Sequence, residues 1–315
     1  MKKLVVIIPY FGSLPRIFKF WYQSALNNPT IDFLLFTDTD ITENQNIHVI
    51  KLTFKDMQKK IQDCFDFPIA LNQAYKLCDF KPAYGFIFAD YIKPYDFWGF
   101  GDIDLIYGNI RDFITDKVLN NYDLISGWGH LTFYKNNHEC NTFFKKEIQG
   151  FQKYKDVFST PKSCFFDEYN HKGMGDLWKY LYPQKVWDIK PFDDIRVPYL
   201  NFNFISEFHP EYSNNLIFEY ENKNLYRIYT NINGETTKES TLYAHFQKRN
   251  ILKFKTNNTS HYLIIPNSFI NYKPITNKRI RKWGKQQKFK RDMWNLKNKI
   301  IRRVNIIINK ITNSK

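Results

Sequence analysis

The chain has 315 residues, 43% of them hydrophobic and 18% aromatic, which excludes a disordered polypeptide and supplies enough apolar side chain for a full core. Its formal charge of +15 is uneven: residues 278–315 carry 14 Lys or Arg and one acid, Asp292, whereas the other 277 residues carry 32 basic and 30 acidic side chains. A near-neutral body counts against a protein that coats nucleic acid with its whole surface, and leaves the excess charge to the tail.

The first segment, LVVIIPY at 4–10, is a short β-branched run ended by Pro9 and reads as a buried strand. With the preceding MKK it imitates a signal peptide, but its apolar run is too short for one and Pro9 and Gly12 close it. Residues 14–27 place Leu14, Ile17, Phe18, Trp21 and Ala25 at helical spacing. IDFLLFTD at 31–38 reads as a second buried strand and HVIKLTF at 48–54 as a third, and FKDMQKKIQDCF at 54–65 as an amphipathic helix. Strands alternating with helices predict βαβ units and a mainly parallel sheet flanked by helices. The stretch 75–92 is partly helical and broken near Pro82. YDFWGFGDIDLIYG at 95–108 is a strand running into a polar turn, and helices and loops rich in Phe, Tyr and Trp follow to about residue 210. Residues 215–246 look antiparallel, with Asn233-Gly234 as a hairpin turn. The resulting division is a globular body over 1–250, a linker over 251–277 and a basic tail over 278–315.

No apolar run approaches the roughly 20 residues that span a bilayer. Four cysteines, Cys64, Cys78, Cys140 and Cys164, show no C-x-x-C spacing, which argues against a zinc ribbon or disulfide framework and fits a reducing cytoplasm. The tail sets Trp283, Met293, Trp294, Ile300, Ile301 and Val304 among Lys and Arg, a composition suited to an amphipathic helix on an anionic membrane surface. Nucleic-acid binding through phosphates and a solvated tail are the rival readings.

Candidate chemistry centres on acids. Two D-x-D triplets occur, Asp38-Thr39-Asp40 and Asp102-Ile103-Asp104, and with 21 Asp in the chain the pattern alone means little. Context separates them: Asp102 and Asp104 lie between FWGFG and LIYG, so their carboxylates should be partly enclosed. In an extended chain residues i and i+2 share a face, and two carboxylates on one face suit Mg²⁺ or Mn²⁺; the plain alternative is a turn with solvated acids. Lys76, Asp79 and Lys81 could flank a nucleotide, although on spacing alone i,i+3 pairs on a helix surface are preferred. His245, after a strand-like run, is either a metal ligand or structural, with Lys248 beside it for phosphate. Asp167-Glu168 is either a source of general base or an acid pair at a helix N-terminus.

The order of PYFG, LCDFKPAYG, FWGFGDIDLIYGN, GHLTFYKN and AHFQKR resembles bacterial glycosyltransferases of the GT-A type from polysaccharide loci, over roughly residues 1–250. That resemblance implies a GT-A-like fold, a nucleotide-sugar donor, a glycan or lipid-linked glycan acceptor, and Mn²⁺ or Mg²⁺. It assigns Asp102, Asp104 and His245 to the metal, with Asp102 also near the sugar or ribose. It further assigns Pro9, Tyr10, Phe11, Asp38, Asp79, Lys81 and Lys248 to the donor. An inverting enzyme would take its base from Asp167 or Glu168, a retaining one, towards which the late histidine leans, would need none, and Gly129, His130 and Leu131 would border the acceptor. The chain departs from relatives at Lys81, where many carry Arg, and after His245. The expected place is the cytoplasm, against the inner face of the membrane where lipid-linked acceptors lie. Rival functions are a nucleic-acid-binding protein acting through the tail and a sugar-phosphate transferase.

Overall fold

A computed structural model describes residues 1–195, 202, 216–231, 233–247, 252–283, 293, 296, 297 and 299. The chain forms two compact units, Met1–Pro191 and Phe192–Lys315.

The first unit is built on a seven-stranded sheet. Its strands are β1 (Leu4–Pro9), β2 (Ile31–Thr37), β3 (Ile47–Lys51), β4 (Phe97–Gly101), β6 (Leu124–Trp128), β7 (Leu131–Lys135) and β8 (Val186–Trp187), in the order β3-β2-β1-β4-β7-β6-β8; β5 (Leu105–Tyr107) follows the turn after β4. All pairs are parallel except those of β7 with β4 and β6. The runs LVVIIP and FWGFG are buried almost end to end, as expected of parallel strands covered on both faces.

Helices form where the apolar spacing changes to three and four. In α1 (Phe18–Leu26), Phe20, Trp21, Ser24 and Ala25 are buried, and Trp21 meets Phe33 of β2 edge-on. α2 (Phe54–Gln62) begins at a capping box between Thr53 and Asp56 and buries Met57 and Ile61, one turn apart. The broken helical stretch predicted around Pro82 is a chain of short turns: α3 (Leu77–Phe80), a 3₁₀ turn at Lys81–Ala83, α4 (Tyr84–Ile87) and α5 (Ala89–Ile92). Gly85 lets α4 rest on β4, since a Cβ there would stand 2.3 Å from the Trp98 ring. Later helices are α6 (Asp116–Asn121), α7 (His138–Thr142), α8 (Tyr154–Ser159) and α9 (Met174–Leu181).

The second unit carries the antiparallel element that the sequence leads one to expect, a six-stranded, mainly antiparallel sheet. Its strands are β10 (Ile217–Glu221), β11 (Asn224–Thr230), β12 (Thr236–Ser240), β14 (Lys253–Phe254), β15 (His261–Ile265) and β16 (Ser268–Asn271), in the order β12-β11-β10-β15-β16-β14. β9 (Asp193–Asp194) pairs in parallel with β13 (Tyr243–His245). Gly234, with φ +82°, makes the turn between β11 and β12. The stretch 251–277, expected as a linker, holds β14, β15 and β16: Tyr262, Leu263, Ile264 and Phe269 are all buried, and Asn267 turns the hairpin at φ +62°. Of the tail, residues 278–283 continue a helix that starts at Asn277, and Ile280 packs against Ile217 and Ile228. No helix among the described residues is long and apolar enough to cross a membrane.

Candidate active site at the carboxyl edge of the sheet

Because β1, β2 and β4 are parallel neighbours, their C-terminal ends share one edge of the sheet. Ligands of open α/β sheets gather at such an edge. Tyr10 and Phe11 leave β1 there, Asp38 leaves β2, and Asp102 and Asp104 leave β4. β7 runs the other way, so the turn at Gly129-His130 reaches the same edge, and the Asp102 N–H donates to the His130 carbonyl at 3.1 Å.

The two D-x-D triplets part company here. Asp40 is fully exposed and paired with Lys51, while Asp38, also exposed, accepts from the Gly12 N–H at 3.1 Å and shapes the loop after β1. Asp102 and Asp104 are half-buried on either side of buried Ile103, and each offers a carboxylate oxygen within 4.8 Å of the other's. This pair of hard oxygen donors fits a divalent cation with hydrated or phosphate-filled remaining positions. Tyr10 stands close enough for Asp104 to add to the effect of burial in raising its phenol pKa, and its hydroxyl donates to the Ser13 carbonyl.

Lys81 joins this turn to the acids at 167–168. Its side chain is 7% exposed, its ammonium lies 2.9 Å from Asp102 and 3.3 Å from Asp167, and it donates to the Gly129 carbonyl. Burial works to lower its pKa, but Asp102, with Cys78 and Asp167, outweighs it and holds the ammonium well above its ordinary value. Asp167 goes the other way from most carboxyls: burial, against the pull of Lys81 and with Glu168 and Asp102 adding, pushes it up to about 7. Gly129 is required at this crossing, because a Cβ would sit 2.9 Å from an Asp167 oxygen and 3.0 Å from Glu168 Cγ.

Asp79, assigned to the donor by resemblance, is placed differently. It is 1% exposed, pairs with equally buried Lys76 at 2.7 Å, and accepts from the N–H groups of Cys164 and Phe166. Its carboxylate holds the 162–166 segment and presents no accessible oxygen to a ligand. The i,i+3 pairing of Lys76 and Asp79 was legible in the sequence; that it lies in the interior was not.

In the second unit, His245 Nδ1 is 2.9 Å from Asp194 Oδ1, and Gln247 donates to the same oxygen at 2.8 Å. Asp194, which sequence reasoning passed over, thus fixes the imidazole, and any ligand role falls to Nε2. The only sequence signal was the acidic doublet Asp193-Asp194. Lys248 lies outside the described residues.

Residues 6–273 match the profile of a family described as a family of unknown function, DUF6625. No curated protein matches the sequence. Among solved structures, the galactosyltransferase LgtC in complex with donor and acceptor sugar analogs shares 11% identity over 61% of this chain and 75% of its own, with a TM-score of 0.32. An active-site mutant of LgtC gives 13%, 61%, 74% and 0.30. A likeness this slight carries no residue roles.

Proposed function

We propose, for a chain that belongs to the DUF6625 family, a metal-dependent glycosyltransferase that moves a sugar from a nucleotide-diphosphate donor to a hydroxyl of a surface-polysaccharide acceptor. The observation that carries the reading is the half-buried pair Asp102 and Asp104, set at the carboxyl edge of a parallel sheet with their oxygens within reach of one ion. Asp102 and Asp104 would hold Mn²⁺ or Mg²⁺, with His245 as the third ligand that the resemblance implies. When bound, the ion supplies Lewis acidity against the charge gathering on the departing diphosphate.

The chain's own residues do the rest. Pro9, at the end of β1, and Tyr10 and Phe11, on the loop that Asp38 shapes, line the nucleotide. Lys81 keeps the Asp102 carboxylate in place and is a positioning residue, since its ammonium is spent on Asp102, Asp167 and Gly129. Asp167 is the base: the acceptor oxygen bonds to the anomeric carbon, the bond from that carbon to the diphosphate breaks, and the hydroxyl proton passes to the Asp167 carboxylate. Glu168 is its alternate. A front-side route that retains the anomeric configuration needs no such base, and the anomeric signal of the product separates the two. Lys248 is assigned to the diphosphate, the transferase domain to 1–250, and the tail from 278 to an anionic membrane face.

Asp104→Ala, assayed for nucleotide-sugar hydrolysis and transfer across a Mn²⁺ titration, should lose about 100-fold or more in rate. Activity equal to the wild type would remove the metal role. Release of a nucleoside monophosphate in place of the diphosphate would mark a sugar-phosphate transferase.

A further inference from the structure

Phe165 is a bulky residue in the left-handed region, with φ +56°, and is 40% exposed. An aromatic in that conformation is an outlier that persists only where its surroundings impose it. Here they do so from both sides. Asp79 accepts from the N–H groups of Cys164 and Phe166, which flank Phe165. Lys76 donates to the carbonyls of Val157 and Lys162, and Gln152 to those of Cys164 and His171. Asp176 gathers the N–H groups of Asn170, His171 and Lys172. The fold thus uses a fully buried ion pair to hold an aromatic ring outward, where an ordinary loop would have tucked it in.

The ring has a defined setting. His171 stacks on it, with centroids 4.8 Å apart and planes 25° apart. The Glu168 N–H donates to the Phe165 carbonyl at 3.1 Å, so one tight turn separates the ring from the acid pair 167–168.

We infer that Phe165, backed by His171 and one tight turn from Glu168, is a platform for a pyranose ring of the acceptor. A pyranose has a face of polarised C–H bonds and a rim of hydroxyls. The first suits the negative face of an aromatic ring, the second a carboxylate such as that of Glu168. The inference rests on the transferase reading, and gives a reason for the loop's strain: the ring is fixed before the sugar arrives, so less order is lost on binding.

The test is saturation-transfer NMR on the full chain with methyl β-galactopyranoside and methyl β-glucopyranoside as probes. Saturation should reach the C–H protons of at least one of them. Phe165→Asn should cut the transfer tenfold or more without lowering Tm, because Asn accepts a positive φ. Phe165→Trp should keep it. Transfer to neither pyranoside from the wild type, or equal transfer from the Asn variant, overturns the platform. So does a Tm lower by several degrees in the Asn variant, which would make Phe165 a packing residue. Nucleotide-sugar hydrolysis by the wild type is measured separately. Pyranoside contact through Phe165 without hydrolysis of any donor would end the transferase reading alone; hydrolysis without pyranoside contact would end the platform alone.

Discussion

Lys81 stands between the carboxyl groups of Asp102 and Asp167. Asp167 has an ordinary pKa of 3.8 and is held at about 7 chiefly by burial. The folded state therefore favours its neutral form, so its contribution to stability is whole below about pH 4 and is lost as the pH rises through about 7. Unfolding free energy measured from pH 4 to 8 should fall across that window, and Asp167→Asn should flatten the fall. If Asp167 is the base, kcat/KM of the wild type should climb to a plateau above about pH 7. Lys76 and Asp79 invite a different measurement. Lys76→Met or Asp79→Ala leaves its partner charged and interior, at a cost of about 3–5 kcal/mol in denaturant unfolding. Unchanged stability with weakened donor binding would instead favour the donor contact that resemblance assigned to Asp79. The sequence already held the acid pair at 102 and 104, because the apolar runs around it are continuous. It hid the partners Asp102–Lys81, Asp79–Cys164 and His245–Asp194, which are distant in sequence and brought together only by the fold.

Among the elements, β1 and β2 were legible because parallel strands covered on both faces read as unbroken apolar runs. The hairpin of β6 and β7 was not. Its alternation is interrupted by Gly127 and Gly129, and the pairing register shifts between Ile125 and Trp128, so no period of two survives. β15 and β16 hide in a stretch that reads as a linker, where His261–Ile265 and Ser268–Asn271 flank a Pro-Asn turn. Two glycines carry close approaches that spacing alone does not reveal. A Cβ at Gly99 of β4 would stand 2.3 Å from the Thr132 carbonyl oxygen of β7, and one at Gly85 would enter the Trp98 ring. Gly99→Ala should therefore cost about 1–3 kcal/mol or more, and Gly85→Ala a similar amount, both read by thermal or denaturant unfolding. Gly99 should be the worse of the two, because its obstacle is backbone.

For the molecule as a whole, the first residues of the basic segment that starts at 278 share in the core. Ile280 is 1% exposed against Ile217 and Ile228, whereas Met293 and Leu296 are exposed beside exposed Lys297. Truncation after residue 283 should keep Tm and remove binding to vesicles containing anionic lipid. Truncation after 277 should also cost about 1–3 kcal/mol, from the lost Ile280 packing. Duplex or single-strand nucleic-acid binding by the full chain, with no vesicle binding, would reassign the tail. The segment 157–172 offers a last consequence. Lys76, Asp79, Gln152 and Asp176 grip it through carbonyls and amide N–H groups, which every residue but proline provides. Its shape is thus insulated from the identity of its exposed side chains. If Phe165 carries a sugar, exchanging it should change which glycan is preferred while the mounting beneath it stays intact.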